Sequence, residues 1–210
     1  MKLKIKEFNI YIDETILILI FLSIMFRGIR QYFENYFICF LFITFHEFSH
    51  MFIASIFGIK TTKLSICISG LSINLNDKNR KGLKWLFIFL AGPISNIILA
   101  SIFNNIPMVY TINLALAIIN LLPIYPLDGY NIFGIMLHLL KIKNVSKLQY
   151  ITQNIVFCLL GIIGGYQLII LKNLSIILMG FYIFIQSQTL RKNSSSVMYQ
   201  NCYKNITNFN

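Results

Sequence analysis

The chain has 210 residues, of which 57% are hydrophobic and only 12% are charged, and its formal net charge is +11. A soluble domain contains about 25% charged residues, so this composition excludes an ordinary soluble fold and predicts an integral membrane protein. The basic residues lie between apolar segments and form no patch interleaved with aromatic residues, which argues against a nucleic-acid partner.

Six apolar runs are candidates for membrane-spanning helices. In chain order they are Thr15–Phe26, Tyr36–Phe57, Trp85–Phe103, Met108–Pro123, Ile151–Leu171 and Leu174–Leu190. Only three of them comfortably reach the roughly 20 residues that the hydrocarbon core of a bilayer requires. We therefore predict an all-α membrane protein with six transmembrane helices, in which the boundaries of the first and fourth spans are the least defined.

The basic residues also predict the orientation of these spans. If both termini lie in the cytoplasm, all 18 basic residues except Arg27, Arg30 and Lys172 fall on the cytoplasmic side, as the positive-inside rule requires. We expect one membrane domain over residues 1–190, with its core at about 36–140, and a polar cytoplasmic tail over 191–210. The four cysteines have no C-x-x-C spacing, so we interpret them as small apolar side chains.

The second predicted span contains the polar pattern H-E-F-S-H at residues 46 to 50. Burying such groups is costly unless they have a partner. Residues four apart project from one face of a helix, so His46 and His50 can both reach a single metal ion. Glu47 lies near that face, where it can act as a general base toward metal-activated water. A catalytic zinc has three protein ligands, so a third donor must come from elsewhere in the chain.

The segment Leu64–Leu75, which follows the second span, alternates apolar side chains with small ones. Such alternation is typical of an extended strand, and Ser69–Gly70 supplies a turn in its middle. The segment is too short to span a bilayer and too apolar for an ordinary loop. We therefore predict a short β-hairpin at the membrane edge, between the second and third spans.

The third metal ligand is predicted to be Asp128, the sole acidic residue after Asp77. It ends the run NLLPIYPLD, whose prolines, with the glycine that follows, break a helix and can present a carboxylate inward. Two alternatives stay open. Asp128 on its own is compatible with a helix N-cap. His138 is a competing ligand, although its amphipathic setting near Lys141 is more typical of a core or interface histidine.

Three motifs, HEFSH at 46–50, AGPISN at 91–96 and NLLPIYPLDG at 120–129, occur in this order. Together they resemble the site-2 protease family of intramembrane zinc metalloproteases. Within that family the chain is most similar to the stage IV sporulation protein FB type, over about residues 36 to 190. The resemblance implies one Zn²⁺ per chain, held by His46, His50 and Asp128, with Glu47 as the catalytic base and acid.

The resemblance also implies contacts with a substrate. Asn120 is expected beside the substrate or its oxyanion, and Pro126 is expected to shape the turn that carries the aspartate. The predicted hairpin, with Ser69 and Gly70 at its turn, is expected to pair with an extended substrate strand.

In the AGPISN motif we interpret Gly92 and Pro93 as packing and kink residues of the third span. They are not expected to touch the metal or the substrate.

We therefore expect an intramembrane endopeptidase of a bacterial membrane. The implied substrate is a membrane-associated precursor of a sporulation sigma factor, of the pro-sigma-K kind, cut in the mother-cell membrane around the forespore. Membrane inhibitor proteins are implied as further partners, and another regulatory membrane protein is an alternative substrate.

Two other classes of function use the same residues. A membrane metal transporter requires a polar pathway, and the spans contain no run of further ionisable residues. An inactive scaffold is disfavoured because a purely structural metal site has no use for Glu47.

Overall fold

The structure is a computed structural model that describes residues 2–5, 8–12, 27–59, 61–67, 70–75 and 82–189. Within these ranges the chain forms six helices and four strands. The helices are α1 Arg27–Ile56, α2 Leu83–Ile102, α3 Pro107–Asn120, α4 Asp128–Leu139, α5 Val145–Leu171 and α6 Ser175–Thr189. The strands are β1 Lys2–Ile5, β2 Phe8–Ile12, β3 Thr61–Cys67 and β4 Gly70–Leu75.

Three of these helices are long and apolar enough to cross a membrane, namely α1 over Asn35–Ile56, α2 and α5. Large apolar side chains are exposed along all three, as is normal for helices that face lipid. Helices α3 and α6 are apolar but shorter, and they correspond to the fourth and sixth predicted spans. The predicted helices are thus confirmed at three candidate spans, which suggests a membrane protein. The total of six stays a prediction, since Thr15–Phe26 lies outside the described residues.

The four strands form one sheet in the order β1-β2-β3-β4. Strands β1 and β2 are antiparallel, as are β3 and β4, whereas β2 runs parallel to β3. Strands β3 and β4 occupy the segment for which a hairpin is predicted, although the predicted turn residue Ser69 lies outside the described residues. Strands β1 and β2 are an addition to the predicted all-α fold. The parallel pairing of β2 with β3 is distant in sequence, but β1 and β2 form a local antiparallel pair. The alternation of lysines with Leu3 and Ile5 is a local strand signal that the all-α prediction did not use.

The first compact unit contains the sheet, helices α1 to α3 and residues 135–141. Helix α1 packs on α2, α2 packs on α3, and strand β4 contacts α1. The core of this unit consists of buried apolar side chains, namely Ala54, Ile59, Trp85, Ile88 and Ile135. Trp85, the only tryptophan of the chain, is fully buried there.

The second compact unit contains, among the described residues, the segment 122–134 and helices α5 and α6. The two helices pack closely at Gly164, where an added Cβ would come within 2.7 Å of the Ile177 side chain. Small residues allow such close approach between apolar helices in a membrane. Phe157 and Phe184 also meet edge to face, with ring centroids 5.4 Å apart.

The core position of Trp85 generates a stability prediction. Trp85→Ala removes the largest fully buried side chain of the first unit, and we expect a loss of about 3–5 kcal/mol in the free energy of unfolding. The measurement is equilibrium unfolding in mixed micelles of rising dodecyl sulfate content, followed by far-ultraviolet circular dichroism. The control is Phe52→Ala, because that ring is 65% exposed and should matter far less. Equal destabilisation by the two variants would contradict this account of the core.

Candidate metal centre

His46 and His50 lie on the same face of α1, and both side chains are buried, with 3% and 7% of their surface exposed. Their Nε2 atoms are 3.1 Å apart. Two nitrogen ligands at about 2.0–2.1 Å from a tetrahedral zinc are separated by roughly 3.3 Å. The two imidazoles are therefore close to the spacing that a shared ion requires.

The backbone of α2 determines the tautomer of His50. The Nδ1 atom of His50 lies 2.6 Å from the carbonyl oxygen of Ile88. Since that oxygen can only accept a hydrogen bond, Nδ1 carries the proton and donates it. In the neutral ring the lone pair is then on Nε2, which is the atom that faces His46. A histidine that donates one ring N–H to a carbonyl and keeps the other nitrogen free of a proton is prepared to bind a metal.

Gly92 allows α2 to lie directly against both imidazole rings. A Cβ added at Gly92 would be 2.5 Å from Nε2 of His46 and still closer to Nε2 of His50, which real atoms do not tolerate. The interpretation of Gly92 as a packing residue is confirmed, but its partners are the two predicted ligands, which the sequence analysis missed. A glycine inside an apolar helix lowers helix propensity and therefore indicates a packing requirement, although not which side chain imposes it.

Asp128 is the first residue of α4, and its side chain is half-buried. One ligand atom from each of His46, His50 and Asp128 lies within 4.8 Å of the other two. The N-cap alternative is compatible with this arrangement, because Asp128 does lie in the first turn of the helix. His138 lies in the last turn of α4 with an exposed side chain and is not part of the group.

The donor set of this group fits zinc. Two imidazole nitrogens and one carboxylate oxygen are the ligands of catalytic zinc sites, which keep a fourth position open. Magnesium and calcium prefer sites built of oxygen ligands, and thiolate-selective metals would require cysteines. The three side chains are accordingly compatible with zinc, and the same donor set also occurs in non-haem iron(II) sites.

Glu47 follows His46 on α1, and its side chain is half-buried. Asn120 is the last residue of α3, where its Nδ2 donates a hydrogen bond to the Leu116 carbonyl at 3.0 Å. One amide hydrogen of Asn120 is therefore already used in a hydrogen bond to the backbone of its own helix. The amide would have to rotate to donate that hydrogen to a substrate.

The remaining predicted site residues lie in two other segments. Pro126 is half-buried in the irregular segment before α4, which places it two residues before Asp128. Gly70 begins strand β4, whereas Ser69 lies outside the described residues. Contact of these residues with a substrate stays a prediction.

Comparison with known proteins supports the fold. No protein-family model and no curated protein sequence matches the chain. Among solved structures it is similar to "Site-2 Protease from Methanocaldococcus jannaschii", with a TM-score of 0.58 and 24% sequence identity, over 90% of this chain and 94% of that one. At this identity the similarity shows that the two chains share a fold. The sporulation type suggested by the motifs stays a prediction.

The close approach at Gly92 generates a prediction about metal binding. Gly92→Ala forces the rings of His46 and His50 apart, so we expect Co²⁺ or Zn²⁺ affinity to fall by about tenfold or more. The measurement is competition with a fluorescent chelator in detergent. The matched control is Gly161→Ala on α5, where nothing lies within 4 Å of the added Cβ. Metal affinity that falls equally in both variants, or in neither, would contradict the role assigned to Gly92.

Proposed function

We propose that this protein is an intramembrane zinc endopeptidase of the site-2 protease type. The observation that carries the proposal is the meeting of the ligand atoms of His46, His50 and Asp128 within 4.8 Å of one another. The H-E-x-x-H pattern adds Glu47 beside the first ligand, and the fold similarity agrees with the same class of enzyme.

In this proposal His46 and His50 hold the zinc through Nε2, and Asp128 holds it through a carboxylate oxygen. When bound, the zinc acts as a Lewis acid toward water and toward the scissile carbonyl group. The Ile88 carbonyl keeps the proton of His50 on Nδ1, so that Nε2 of His50 has a lone pair for the metal. Gly92 leaves room for both rings against α2.

Glu47 is the proton carrier of the reaction. Its carboxylate accepts a proton from the attacking water, whose oxygen forms a bond to the carbonyl carbon of the substrate. The carbon–nitrogen bond then breaks, and Glu47 returns the proton to the departing amine nitrogen. The products are a new carboxyl terminus and a new amino terminus. Glu47 ends the cycle as it began, as a carboxylate.

The role of Glu47 generates a prediction with a defined metal control. Glu47→Gln cannot accept the proton, so we expect cleavage to fall by at least about 100-fold. Zinc content should remain at one per chain, because Glu47 is not a ligand. His46→Ala should lose both zinc and activity. The measurements are atomic absorption on the purified protein and processing of a co-expressed membrane-associated pro-sigma-K-type protein. Undiminished cleavage by Glu47→Gln would refute the mechanism.

The sheet supports a proposal for where the substrate backbone binds. A helical substrate has its peptide groups already hydrogen-bonded, so it must become extended before it can be cut. An extended segment can add as a strand to the edge of a sheet. The edge strands of the described sheet are β1 and β4, and β4 contacts the helix that carries His46 and Glu47. We therefore assign the substrate strand to the side of β4 that faces away from β3.

Disulfide cross-linking distinguishes the two edges. In a Glu47→Gln protein without its four native cysteines, Ile73→Cys labels β4 and Leu3→Cys labels β1. A substrate with a single cysteine near the cleaved bond should cross-link to Ile73→Cys and not to Leu3→Cys. Preferential cross-linking to Leu3→Cys would place the substrate on the other edge and contradict the assignment.

The sequence motifs support a proposal for the substrate, the partners and the cellular location. We propose a sporulation pro-sigma factor of the pro-sigma-K kind as the substrate, membrane inhibitor proteins as partners and the mother-cell membrane around the forespore as the location, with both termini in the cytoplasm. Co-expression with candidate pro-sigma factors, scored for processing that depends on Glu47, tests the substrate. Processing of a different regulatory membrane protein would instead support the alternative substrate class.

A metal transporter is the less favoured function. Among the described residues, the buried ionisable side chains are His46 and His50, both of which belong to the candidate zinc group. Transport requires a succession of polar sites across the bilayer. Zinc flux into proteoliposomes would be the observation in favour of that function.

A further inference from the structure

The position of Asp128 is determined differently from the positions of the two histidines. His46 and His50 lie in the interior of the long helix α1, whereas Asp128 opens α4 directly after the irregular segment 121–127. The position of a side chain on the first residue of a helix depends on where the preceding backbone is held. Irregular backbone at membrane depth also needs hydrogen-bond partners, because lipid offers none.

Gln153 on α5 supplies such a partner. Its side chain is 1% exposed, and its Oε1 accepts a hydrogen bond from the backbone N–H of Tyr125 at 3.3 Å. Its Nε2 donates to the hydroxyl oxygen of Ser187 on α6 at 3.3 Å, and Ser187 is fully buried. The amide therefore connects the segment before Asp128 to α6 through two buried hydrogen bonds.

Gln149 lies one turn earlier on α5 and binds the backbone on the other side of Asp128, in the first turn of α4. Its Nε2 donates to the carbonyl oxygen of Tyr130 at 2.9 Å. Gly134 makes room for this amide, since an added Cβ there would collide with Nε2 of Gln149. The two glutamines thus bind the backbone three residues before Asp128 and two residues after it.

Buried hydrogen bonds of this kind favour one backbone position over others, in addition to stabilising the fold. An amide buried in apolar surroundings is costly unless it is hydrogen-bonded, so an apolar side chain would serve better if packing were the only need. In a medium of low dielectric constant the bonds that are made are strong, and water is not available to replace them. Two amides a turn apart therefore hold the backbone around Asp128 in one position.

We infer that Gln153 and Gln149 are positioning residues for the third metal ligand, an inference that rests on the proposed function. Neither residue is assigned a contact with metal or substrate. They act through the backbone on either side of Asp128, as outer-shell partners orient the ligands of other metal sites. Loss of one such partner typically weakens metal binding by about 10–100-fold.

The experiment measures Co²⁺ affinity by chelator competition, and the visible absorption of bound Co²⁺, in the full chain in detergent. Gln153→Met keeps the length of the side chain but removes both hydrogen bonds, so affinity should fall by about tenfold or more and the absorption bands should shift. Gln153→Glu as the neutral acid can accept from the Tyr125 N–H and donate to the Ser187 hydroxyl, so it should restore affinity to within about threefold of the original. The matched control is Gln167→Met on the same helix, which should stay within about twofold.

The outcomes separate this inference from the proposed function. If Asp128→Ala does not weaken Co²⁺ binding, the proposed metal site is wrong and the inference falls with it. If Asp128→Ala weakens binding but folded Gln153→Met binds Co²⁺ as the original chain does, only the inference is overturned. If Gln153→Met does not fold, Gln149→Met at its half-buried position decides. Weakened Co²⁺ binding then supports the inference, and unchanged binding overturns it.

Discussion

The imidazole rings of His46 and His50 face α2 at the only glycine of that helix, Gly92. A side chain there would occupy the space of the two Nε2 atoms, so the distance between α1 and α2 and the presence of the ring pair depend on each other. One turn before Gly92, the Ile88 carbonyl accepts the Nδ1 proton of His50. A single helix–helix contact thus determines the spacing of the two nitrogens, the tautomer of one ring and the burial of both.

The position of Asp128, the third candidate ligand, is fixed by different interactions from those that fix the two histidines. Residues on one face of a helix are fixed by helix geometry, but Asp128 follows the segment 121–127, which forms turns and no helix or strand. In water such a segment would be solvated, whereas in lipid it must be satisfied by protein groups. The side chain of Gln153 meets part of that requirement at the Tyr125 N–H, and Gln149 binds the Tyr130 carbonyl in the first turn of α4. The chemistry of the site and the stability of its irregular segment consequently depend on the same hydrogen bonds.

The parts of this arrangement that could be predicted are those with a local or compositional signal. The four-residue spacing of His46 and His50 indicates a shared face, and the scarcity of acidic residues leaves Asp128 as the third donor. The long apolar runs predict α1, α2 and α5 for the same reason.

The rest depends on contacts between residues far apart in sequence. Nothing near Gly92 in the chain reveals that its neighbours are imidazoles from another helix. A glutamine such as Gln153 on an apolar span has no periodic partner that would indicate its hydrogen bonds to Tyr125 and Ser187. The parallel pairing of β2 with β3 is likewise a contact between distant residues, although β1 and β2 pair with each other locally.

The central claim is that one zinc ion binds to two imidazoles and one carboxylate. X-ray absorption at the zinc edge, on purified protein loaded with one equivalent of zinc, tests it most directly. The account predicts nitrogen and oxygen scatterers at about 2.0–2.1 Å, with the outer-shell signature of two histidines and no sulfur. Zinc coordinated by sulfur at about 2.3 Å, or a spectrum without the signature of two imidazoles, would contradict the account.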